Sequence, residues 1–426
     1  MDRKNLFATL YLKNGEAVTN QDDLQIIGSA EEIVKLYNDS GIDKIILFDL
    51  SLDREEHLEN LHKIKELLRV IEVPVYGAGN IHQIEDIRNL LFAGCQKVIL
   101  DSTQSDFNTI LEESFKRFGK EKLAAGLKKV DALFKQRENL ETKFDELFIF
   151  NETIIDAVDN LTTMPFTPII SGAERDDYVK YLSLPNINGI GGPLTNSTQT
   201  DVMHLKNQLS ESGIKVRRLD TSISWKDFHL DADGLMPVIT QDYISSEVIN
   251  FGYMNEYAFE HTIKHGKMTY YNKENGDIYM RGHENDHYQY IKSFTLDCHR
   301  KTLLAKISQI GNSCHSGKYS CFFEEIMRKD YLEKNTFKIF ENLYQEMQQQ
   351  RLEPVGNSYI SHLVSKDTDE VLRKCGEMCL DLLIASKNED SEAMRSDITD
   401  FMYHLMVLMT EHDIKWQDIT NEFIQR

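Results

Sequence analysis

A chain of 426 residues is longer than one hydrophobic core ordinarily supports, so its length predicts roughly two to four domains. It carries 48 Lys and Arg against 69 Asp and Glu, and this net charge of −21 argues against a nucleic-acid-binding surface, which needs clustered positive charge. No apolar run is long enough for a membrane span, and six cysteines are too few for a disulfide framework. Together with an N-terminus that turns polar early, these features predict a cytoplasmic protein without membrane or nucleic-acid partners.

The first 215 residues alternate between short apolar runs and amphipathic stretches. Runs such as KIILFDL and QKVILDS have the length of buried parallel strands, and stretches such as AEEIVKLYNDSG have helical periodicity. Gly41 and Gly94 follow two predicted helices, where glycine suits a left-handed C-cap. The strand–helix pattern recurs about eight times, so residues 1–215 are predicted to form a (β/α) barrel-like domain.

Two further patterns follow along the chain. Residues 216–327 have shorter strands and frequent Gly and Asn turns, which predict a compact α+β domain. Residues 328–426 contain almost no glycine and repeat with helical periodicity, which predicts an all-α domain. The predicted protein is therefore multidomain, with a barrel-like, a mixed and a helical part.

Three cysteines form the first candidate site. Cys298, Cys314 and Cys321 are the only cysteines of the predicted central domain. Three thiolates plus a water make an open catalytic zinc site, whereas structural zinc sites usually close with four protein ligands. His315 would either close the site as a fourth ligand or lie beside the metal as a proton carrier or substrate contact. The alternative is three buried free thiols, a common fate of cysteine.

The segments around these cysteines carry a family resemblance. DGLMPVITQD, GYMNEYAFEHTIKHGKMTYY and SCHSGKYSCF, in this order within residues 225–323, closely resemble phosphoribosyl-AMP cyclohydrolase. The resemblance implies that Cys298, Cys314 and Cys321 bind Zn²⁺, and that an activated water attacks C6 of the N1-substituted adenine ring, whose N1–C6 bond then opens. It also implies His315 and His287 as candidates for proton transfer.

The chain departs from this family around its first cysteine. The family reads Asp-Cys-Asp-x-Asp and holds Mg²⁺ on those aspartates near the substrate phosphates, whereas here only Asp297 remains as a magnesium ligand, ahead of His299, Arg300 and Lys301. One carboxylate is a poor site for a hard dication, so we hypothesise that Arg300 or Lys301 neutralises the phosphate instead. Arg281 stands in the place of a family lysine and is predicted to bind substrate.

Paired carboxylates form the second candidate site. Glu377 and Asp381 are four residues apart on one predicted helix, and Asp397 and Asp400 are three apart on the next. Two antiparallel helices that each present two acids can enclose Mg²⁺ against a polyphosphate. The alternative is two solvated helix faces, which an acidic chain produces by chance.

The helical part also resembles a known family. KCGEMCLDLLIASKN and DITDFMYHLMVLMTEHDIKWQDITNEFIQR, within residues 335–426, resemble phosphoribosyl-ATP pyrophosphohydrolase. That family has a second glutamate where this chain has Met378, whose thioether does not hold Mg²⁺. The positions that match the family on the substrate side are Ser358, Tyr359, Lys374, Tyr403 and His404. For Tyr403 and His404 the alternative is ordinary helix packing.

The N-terminal part resembles two histidine-pathway barrels, the phosphoribosyl-formimino isomerase and the cyclase subunit. The resemblance rests on NLFATLYLKNGEAV and VPVYGAGNIHQIEDIRNLLFAG and is clear over residues 1–110. The first-strand aspartate that is the acid/base in those enzymes falls here on Tyr11, so the barrel is predicted to be a scaffold, an oligomerisation unit or a phosphate sensor. The glycines of GAGN and GIGG serve either phosphate binding or turn formation.

Together the resemblances imply two steps of histidine biosynthesis. Phosphoribosyl-ATP would be hydrolysed to phosphoribosyl-AMP and pyrophosphate, and the adenine ring of phosphoribosyl-AMP would then be opened. The expected partners are small phosphoribosyl nucleotides and further copies of the chain, in a homodimer or larger homo-oligomer. Two alternatives stay open: a non-catalytic regulatory or scaffolding paralogue, favoured by Met378 and Lys301, and a pyrophosphohydrolase for another nucleotide. His299, like Met378 and Lys301, departs from the family pattern on which activity depends.

Overall fold

The computed structural model describes residues 3–312, 314, 316–327, 329, 336–352, 359–364, 368–387 and 391–425. The chain divides into two compact units, Met1–Glu325 and Ile326–Arg426. None of the helices within these described ranges is long and apolar enough to cross a membrane.

The N-terminal α/β domain is built on one large sheet with helices between its strands. Its strands are β1 (Asn5–Lys13), β2 (Glu16–Val18), β3 (Ile26–Gly28), β4 (Lys44–Asp49), β5 (Val75–Ala78), β6 (Lys97–Asp101), β7 (Leu123–Leu127), β8 (Leu147–Ile149), β9 (Phe166–Pro168) and β10 (Gly189–Gly191). Its helices are α1 (Ala30–Ser40), α2 (Arg54–Leu68), α3 (Ile84–Ala93), α4 (Phe107–Phe118), α5 (Asp131–Lys135), α6 (Arg137–Lys143), α7 (Ile155–Leu161), α8 (Arg175–Leu182), α9 (Pro193–Asn196) and α10 (Val202–Glu211).

The sheet runs in the order β3-β2-β1-β4-β5-β6-β7-β8-β9, and β10 pairs in parallel with β1. Isolated parallel bridges join Phe166 to Ile187 and Ile169 to Gly191. Strand β1 is buried along all but its last residue, as expected for a central parallel strand that is covered on both faces. Because parallel strands end at one edge of a sheet, the loops after β4, β5, β6 and β7 lie side by side.

Two predicted helix ends are confirmed. Gly41 follows α1 with φ 103° and Gly94 follows α3 with φ 119°, both in the left-handed region that glycine adopts without a Cβ clash. Helix α3 also begins as a capping box, in which the side chains of Gln83 and Asp86 hold each other's backbone N–H groups.

The central domain completes the first unit. It contains β11 (Met236–Asp242), β12 (Val248–Met254), α11 (Glu256–His265), β13 (Thr269–Tyr271), β14 (Ile278–Met280), β15 (Gln289–Leu296) and β16 (Leu303–Gln309). Four strands form a sheet in the order β12-β11-β16-β15, with β11 and β16 parallel, and β13 and β14 form a separate antiparallel pair. One face of this sheet packs a core that includes Met236, Val238 and Ile307.

The second unit is helical. Its described helices are α12 (Thr336–Leu352), α13 (Tyr359–Val364), α14 (Thr368–Lys387), α15 (Ser391–Glu411) and α16 (Trp416–Gln425). A small core forms around Met347, Val371 and Met406. The predictions of an N-terminal α/β domain, a central sheet domain and C-terminal helices are therefore confirmed.

Candidate functional site

The turn after β16 brings two of the three predicted zinc cysteines together. Gly317, at φ 76°, donates its N–H to the Cys314 carbonyl, and the Cys314 N–H is donated to the Lys318 carbonyl. The chain therefore folds back, so the sulfurs of Cys314 and Cys321 lie within hydrogen-bonding reach of each other. The Cys321 N–H is donated to the Ile249 carbonyl over 2.8 Å, which anchors the turn to β12. We refer to residues 314–321 as the thiol turn.

The two thiols of the thiol turn differ in environment. The Cys314 Sγ is buried and lies 3.0 Å from the Ser316 Oγ, and this hydrogen bond lowers the pKa of Cys314. Cys321 is exposed, but partial desolvation and then the adjoining Cys314 raise its pKa. Arg281 opposes this increase, first through its charge and then through a hydrogen bond to the sulfur. Since a neighbouring guanidinium favours the thiolate, the pair has the chemistry of a metal or nucleophilic site. Sequence reasoning missed Ser316, although its place between the two cysteines was visible.

Cys298 does not join this pair. It is exposed in the hairpin between β15 and β16, and within the described residues no three His, Cys, Asp or Glu side chains are grouped to hold a metal ion. A catalytic zinc site has three protein ligands, and among the described residues two of the predicted cysteines lie together. His315 lies outside the described residues.

The carboxylate of Asp297, the predicted magnesium ligand of the central domain, accepts hydrogen bonds from the backbone of its own hairpin. Its Oδ1 accepts the N–H groups of Lys301 over 2.6 Å and Thr302 over 2.9 Å, and its Oδ2 accepts that of His299 over 3.2 Å. These backbone hydrogen bonds, first that of Thr302, lower the pKa of Asp297. Both oxygens therefore shape the turn, in which Arg300 takes φ 58°, and the site does not fit Mg²⁺. The side chains of Arg300 and Lys301 are exposed.

His287 lies against the segment that leads into the thiol turn. Its Nδ1 is 2.9 Å from the carbonyl oxygen of Asn312, two residues before Cys314. A carbonyl only accepts, so Nδ1 carries the proton and Nε2 of a neutral ring is free to accept one. Gly311 permits this contact, because a Cβ there would lie 2.8 Å from the His287 Nε2. The arrangement suits the predicted proton transfer.

The predicted magnesium site of the second unit is dispersed. Glu377 forms ion pairs with Arg373 and, over 2.9 Å, with Lys374 on its own helix, and these cations lower its pKa, with Lys374 the larger cause. Asp381 is exposed on α14, while Asp397 and Asp400 are partly exposed on α15, which packs against α14. The described residues of these helices contain no cluster of three ligands.

The residues of this unit that are predicted to contact substrate lie in different environments. His404 is 3% exposed and its Nδ1 lies 2.8 Å from the Asp400 carbonyl oxygen, while Tyr403 packs partly buried beside the core. These contacts favour the packing alternative for both residues. Lys374 is ion-paired with Glu377, Tyr359 begins α13, and Ser358 lies outside the described residues.

The N-terminal domain has a cavity of about 300 Å³ where its strands end. It is lined on one side by Asp101 and Lys128, which form an ion pair of 2.8 Å. Tyr11 is 6% exposed and packs on the Phe48 ring, and burial raises its pKa to about 12, so it cannot replace a carboxylate. Gly79 is explained by packing, because a Cβ there would lie 2.1 Å from the Asp49 carbonyl oxygen.

A buried ion cluster lies beside this cavity. The His57 Nδ1 is 2.5 Å from the Asp49 Oδ2, its Nε2 is 3.3 Å from Asp86, and Arg54 holds Asp86 over 2.7 Å. Burial disfavours the charged imidazole, but the hydrogen bonds to Asp49 and Asp86 prevail and raise the pKa of His57 to about 9. We call Asp49, His57 and Asp86 the buried ion cluster; it fastens α2 and α3 to the end of β4.

Comparisons with known proteins match all three parts. Residues 5–152 match the histidine biosynthesis protein family, residues 250–323 match phosphoribosyl-AMP cyclohydrolase, and residues 340–426 match phosphoribosyl-ATP pyrophosphohydrolase. The predicted resemblances of the central and C-terminal parts are thereby confirmed, and the N-terminal part is confirmed as a histidine biosynthesis domain.

Several curated proteins are similar over less than half of this chain. The histidine biosynthesis bifunctional protein HisIE of Lactococcus lactis subsp. lactis is 37% identical over 47% of this chain and 91% of its own length. The HisIE proteins of Thermoanaerobacter pseudethanolicus and Bacillus subtilis are 35% and 29% identical and are covered over 97% and 95% of their lengths. The chain therefore belongs to the family of the histidine biosynthesis bifunctional protein HisIE, with an additional N-terminal histidine biosynthesis domain.

Proposed function

We propose that this chain carries out two successive hydrolyses of histidine biosynthesis. The helical unit hydrolyses phosphoribosyl-ATP to phosphoribosyl-AMP and pyrophosphate, and the central domain adds water at C6 of the adenine ring, so that the N1–C6 bond breaks. The observation that carries the proposal is the thiol pair of Cys314 and Cys321 with Arg281 beside it, within the segment that matches phosphoribosyl-AMP cyclohydrolase.

The thiol turn is proposed to bind Zn²⁺ through Cys314 and Cys321, with Cys298 as the third ligand. The chemistry that zinc supplies when bound is a lowered pKa of its coordinated water. Because Cys298 is exposed and apart, it would reach the pair through a movement of its hairpin or from a second copy of the chain. The second route agrees with the expected homodimer or larger homo-oligomer.

The neighbouring side chains of the central domain have separate tasks in this proposal. Arg281 favours the thiolate form of Cys321, and the unprotonated Nε2 of His287 accepts a proton during the addition of water. Since Asp297 is engaged by its own backbone, the phosphate of the substrate is bound by Arg300 and Lys301 without a magnesium ion in this hairpin.

The helical unit is proposed to hold Mg²⁺ through the carboxylates of Glu377, Asp381, Asp397 and Asp400. Hard oxygen ligands of this kind suit a cation that neutralises the leaving pyrophosphate. Glu377 would have to exchange its ion pair with Lys374 for the metal, and Lys374 would then be free to contact the substrate.

The N-terminal domain is proposed to be a closed (β/α) barrel without enzymatic activity. Strands β1 and β4 to β10 would be the eight parallel strands of the barrel. The isolated bridges at Phe166 and Ile169 support closure of the sheet between β9 and β10. This proposal is supported by Tyr11, which stands in the place of the first-strand acid/base aspartate and is buried against Phe48.

The test is complementation with the full chain in bacterial strains that lack either hydrolase. We expect rescue of both strains, and a Cys321→Ser variant should lose rescue of the cyclohydrolase strain alone. Metal analysis of the purified chain should find about one zinc per chain, and loss of zinc in that variant. Rescue of neither strain would contradict the proposal and favour the non-catalytic regulatory alternative.

A further inference from the structure

Three histidine rings are stacked where the N-terminal α/β domain meets the central domain. His204 lies on α10, and His261 and His265 lie four residues apart on one face of α11. The rings of His204 and His265 are 5.1 Å apart at 15°, and those of His265 and His261 are 4.1 Å apart at 30°. His265 is therefore the middle ring of a stack that spans two domains, which we call the imidazole stack.

Hydrogen bonds act on the outer ring of His204 and on the middle ring of His265. Asp201 accepts the backbone N–H of His204 as the N-cap of α10, and its other oxygen lies 2.7 Å from the His265 Nδ1. The Gln208 Nε2 is 3.1 Å from the His204 Nε2, so the amide donates to an unprotonated ring nitrogen. The His204 Nδ1 is buried without a hydrogen-bond partner. The flanking ring of His204 is thus held in its neutral form.

The surrounding charges oppose a second proton in the imidazole stack. Burial, and then the charge of His265, lower the pKa values of both His204 and His261. The charged or titratable groups that act on the three rings or on Lys267 are Asp201, Glu211, Tyr257, Lys264, Lys267, Asp286, Tyr288 and Tyr290. Protonating a flanking ring would place its charge against the His265 ring and close to these lysines, and Asp201 is already engaged with His265.

The rest of the junction depends on groups that keep their charge in mild acid. Lys292 of the central domain pairs with Asp39 over 3.0 Å and with Glu72 over 2.9 Å, and the pKa of Glu72 is lowered because hydrogen bonds from Tyr243 and Lys292 overcome its desolvation. Met203 packs against Gly266, where a Cβ would lie 2.9 Å from its Cγ. The imidazole stack is therefore the part of the junction that titrates first as the pH falls.

We propose that the imidazole stack makes the docking of the central domain onto the N-terminal domain pH-sensitive, with docking weakened in mild acid. When the domains separate, His204 and His261 regain water and their pKa values return towards about 6.5. The separated state then binds more protons than the docked state, so docking is fully favoured above about pH 6.5 and declines as the pH falls through the lowered pKa values.

The experiment is amide hydrogen exchange of the full chain at about pH 7.5 and about pH 5.5, with intrinsic exchange rates corrected at each pH. In the wild type we expect α10 and α11 to lose protection by up to about tenfold for each ring that takes up a proton, while α2 serves as the internal reference. The His204→Phe/His261→Phe variant keeps stacked rings that cannot be protonated, and its protection should change by less than about twofold.

Two further variants complete the hydrogen-exchange experiment. His62→Phe, at an exposed ring on α2, should respond to pH as the wild type does. If the double Phe variant does not fold, His261→Gln removes one titrating ring and should reduce the response by about half on a logarithmic scale. Equal protection of α10 and α11 at both pH values in the wild type, or an undiminished loss of protection in the variants that replace His204 or His261, would overturn the proposal.

Discussion

The buried ion cluster of the N-terminal domain and the thiol turn of the central domain use reactive side chains in opposite ways. His57, Asp49 and Asp86 are at most 4% exposed, and their charges satisfy one another over 2.5 and 3.3 Å. Cys321 is exposed, beside its partner sulfur and Arg281. Charged side chains that are paired with one another in a core contribute to the stability of the fold. Reactive side chains that are exposed at the surface, such as the Cys321 thiol, can instead bind a ligand or take part in catalysis.

The largest effect on stability is expected when the central histidine of the buried ion cluster is replaced. His57→Leu leaves Asp49 buried without its cation and Asp86 with Arg54 alone, so we expect the free energy of unfolding to fall by about 3–5 kcal/mol in urea denaturation. The matched variant His62→Leu, on the same helix but 77% exposed, should change it by less than about 0.5 kcal/mol. Ring opening of phosphoribosyl-AMP by the folded His57→Leu protein should stay at the wild-type rate; a specific loss of that activity would contradict the structural role.

The same cluster predicts a pH dependence of stability. Because the folded pKa of His57 is raised to about 9, its contribution is complete below the unfolded value of 6.5 and is lost as the pH rises through 9. Asp86 has a lowered pKa, so its contribution is present above 3.8 and is lost as the pH falls further. Between pH 6.5 and 9.5 the wild type should lose roughly 3 kcal/mol of unfolding free energy through His57, and the His57→Leu variant should lack this decline.

At the thiol turn we expect a large loss of activity with little change in stability. Cys321→Ser removes a proposed zinc ligand, so we expect the rate of phosphoribosyl-AMP ring opening to fall at least about 100-fold, while the unfolding free energy of the zinc-free protein changes by less than about 0.5 kcal/mol. Hydrolysis of phosphoribosyl-ATP by the same protein is the internal control, and Cys379→Ser, at an exposed cysteine of α14, is the matched variant. Wild-type ring opening by Cys321→Ser would sink the proposed site.

The smallest effect is expected at the hairpin of Asp297. Lys301→Met removes an exposed cation that is proposed to meet the substrate phosphate, so the KM for ring opening should rise about two- to fivefold with kcat nearly unchanged. Lys306→Met, at an exposed lysine on β16, should leave KM unchanged. If the activity of the wild type depended on magnesium bound at this hairpin, the proposed role of Lys301 would be wrong.

Local patterns predicted much of the fold and little of the site geometry. Gly41 and Gly94 ended helices as expected because a left-handed cap depends on the residue itself. By contrast, nothing in the spacing of Cys298 from Cys314 indicates that the hairpin of β15 and β16 keeps Cys298 out of the thiol turn. The imidazole stack was equally invisible, since His204 lies more than fifty residues from its partners along the chain.

The sequence alone determined the order of the domains, the family of each part and the residue types available for catalysis, because periodicity and short motifs are properties of neighbouring residues. Only the tertiary structure decided that Asp297 serves its own turn, that His404 is buried with its Nδ1 on the Asp400 carbonyl, and that His265 stacks across a domain junction. These outcomes depend on which hydrogen bonds are satisfied after folding, and that is set by contacts between residues far apart in the chain.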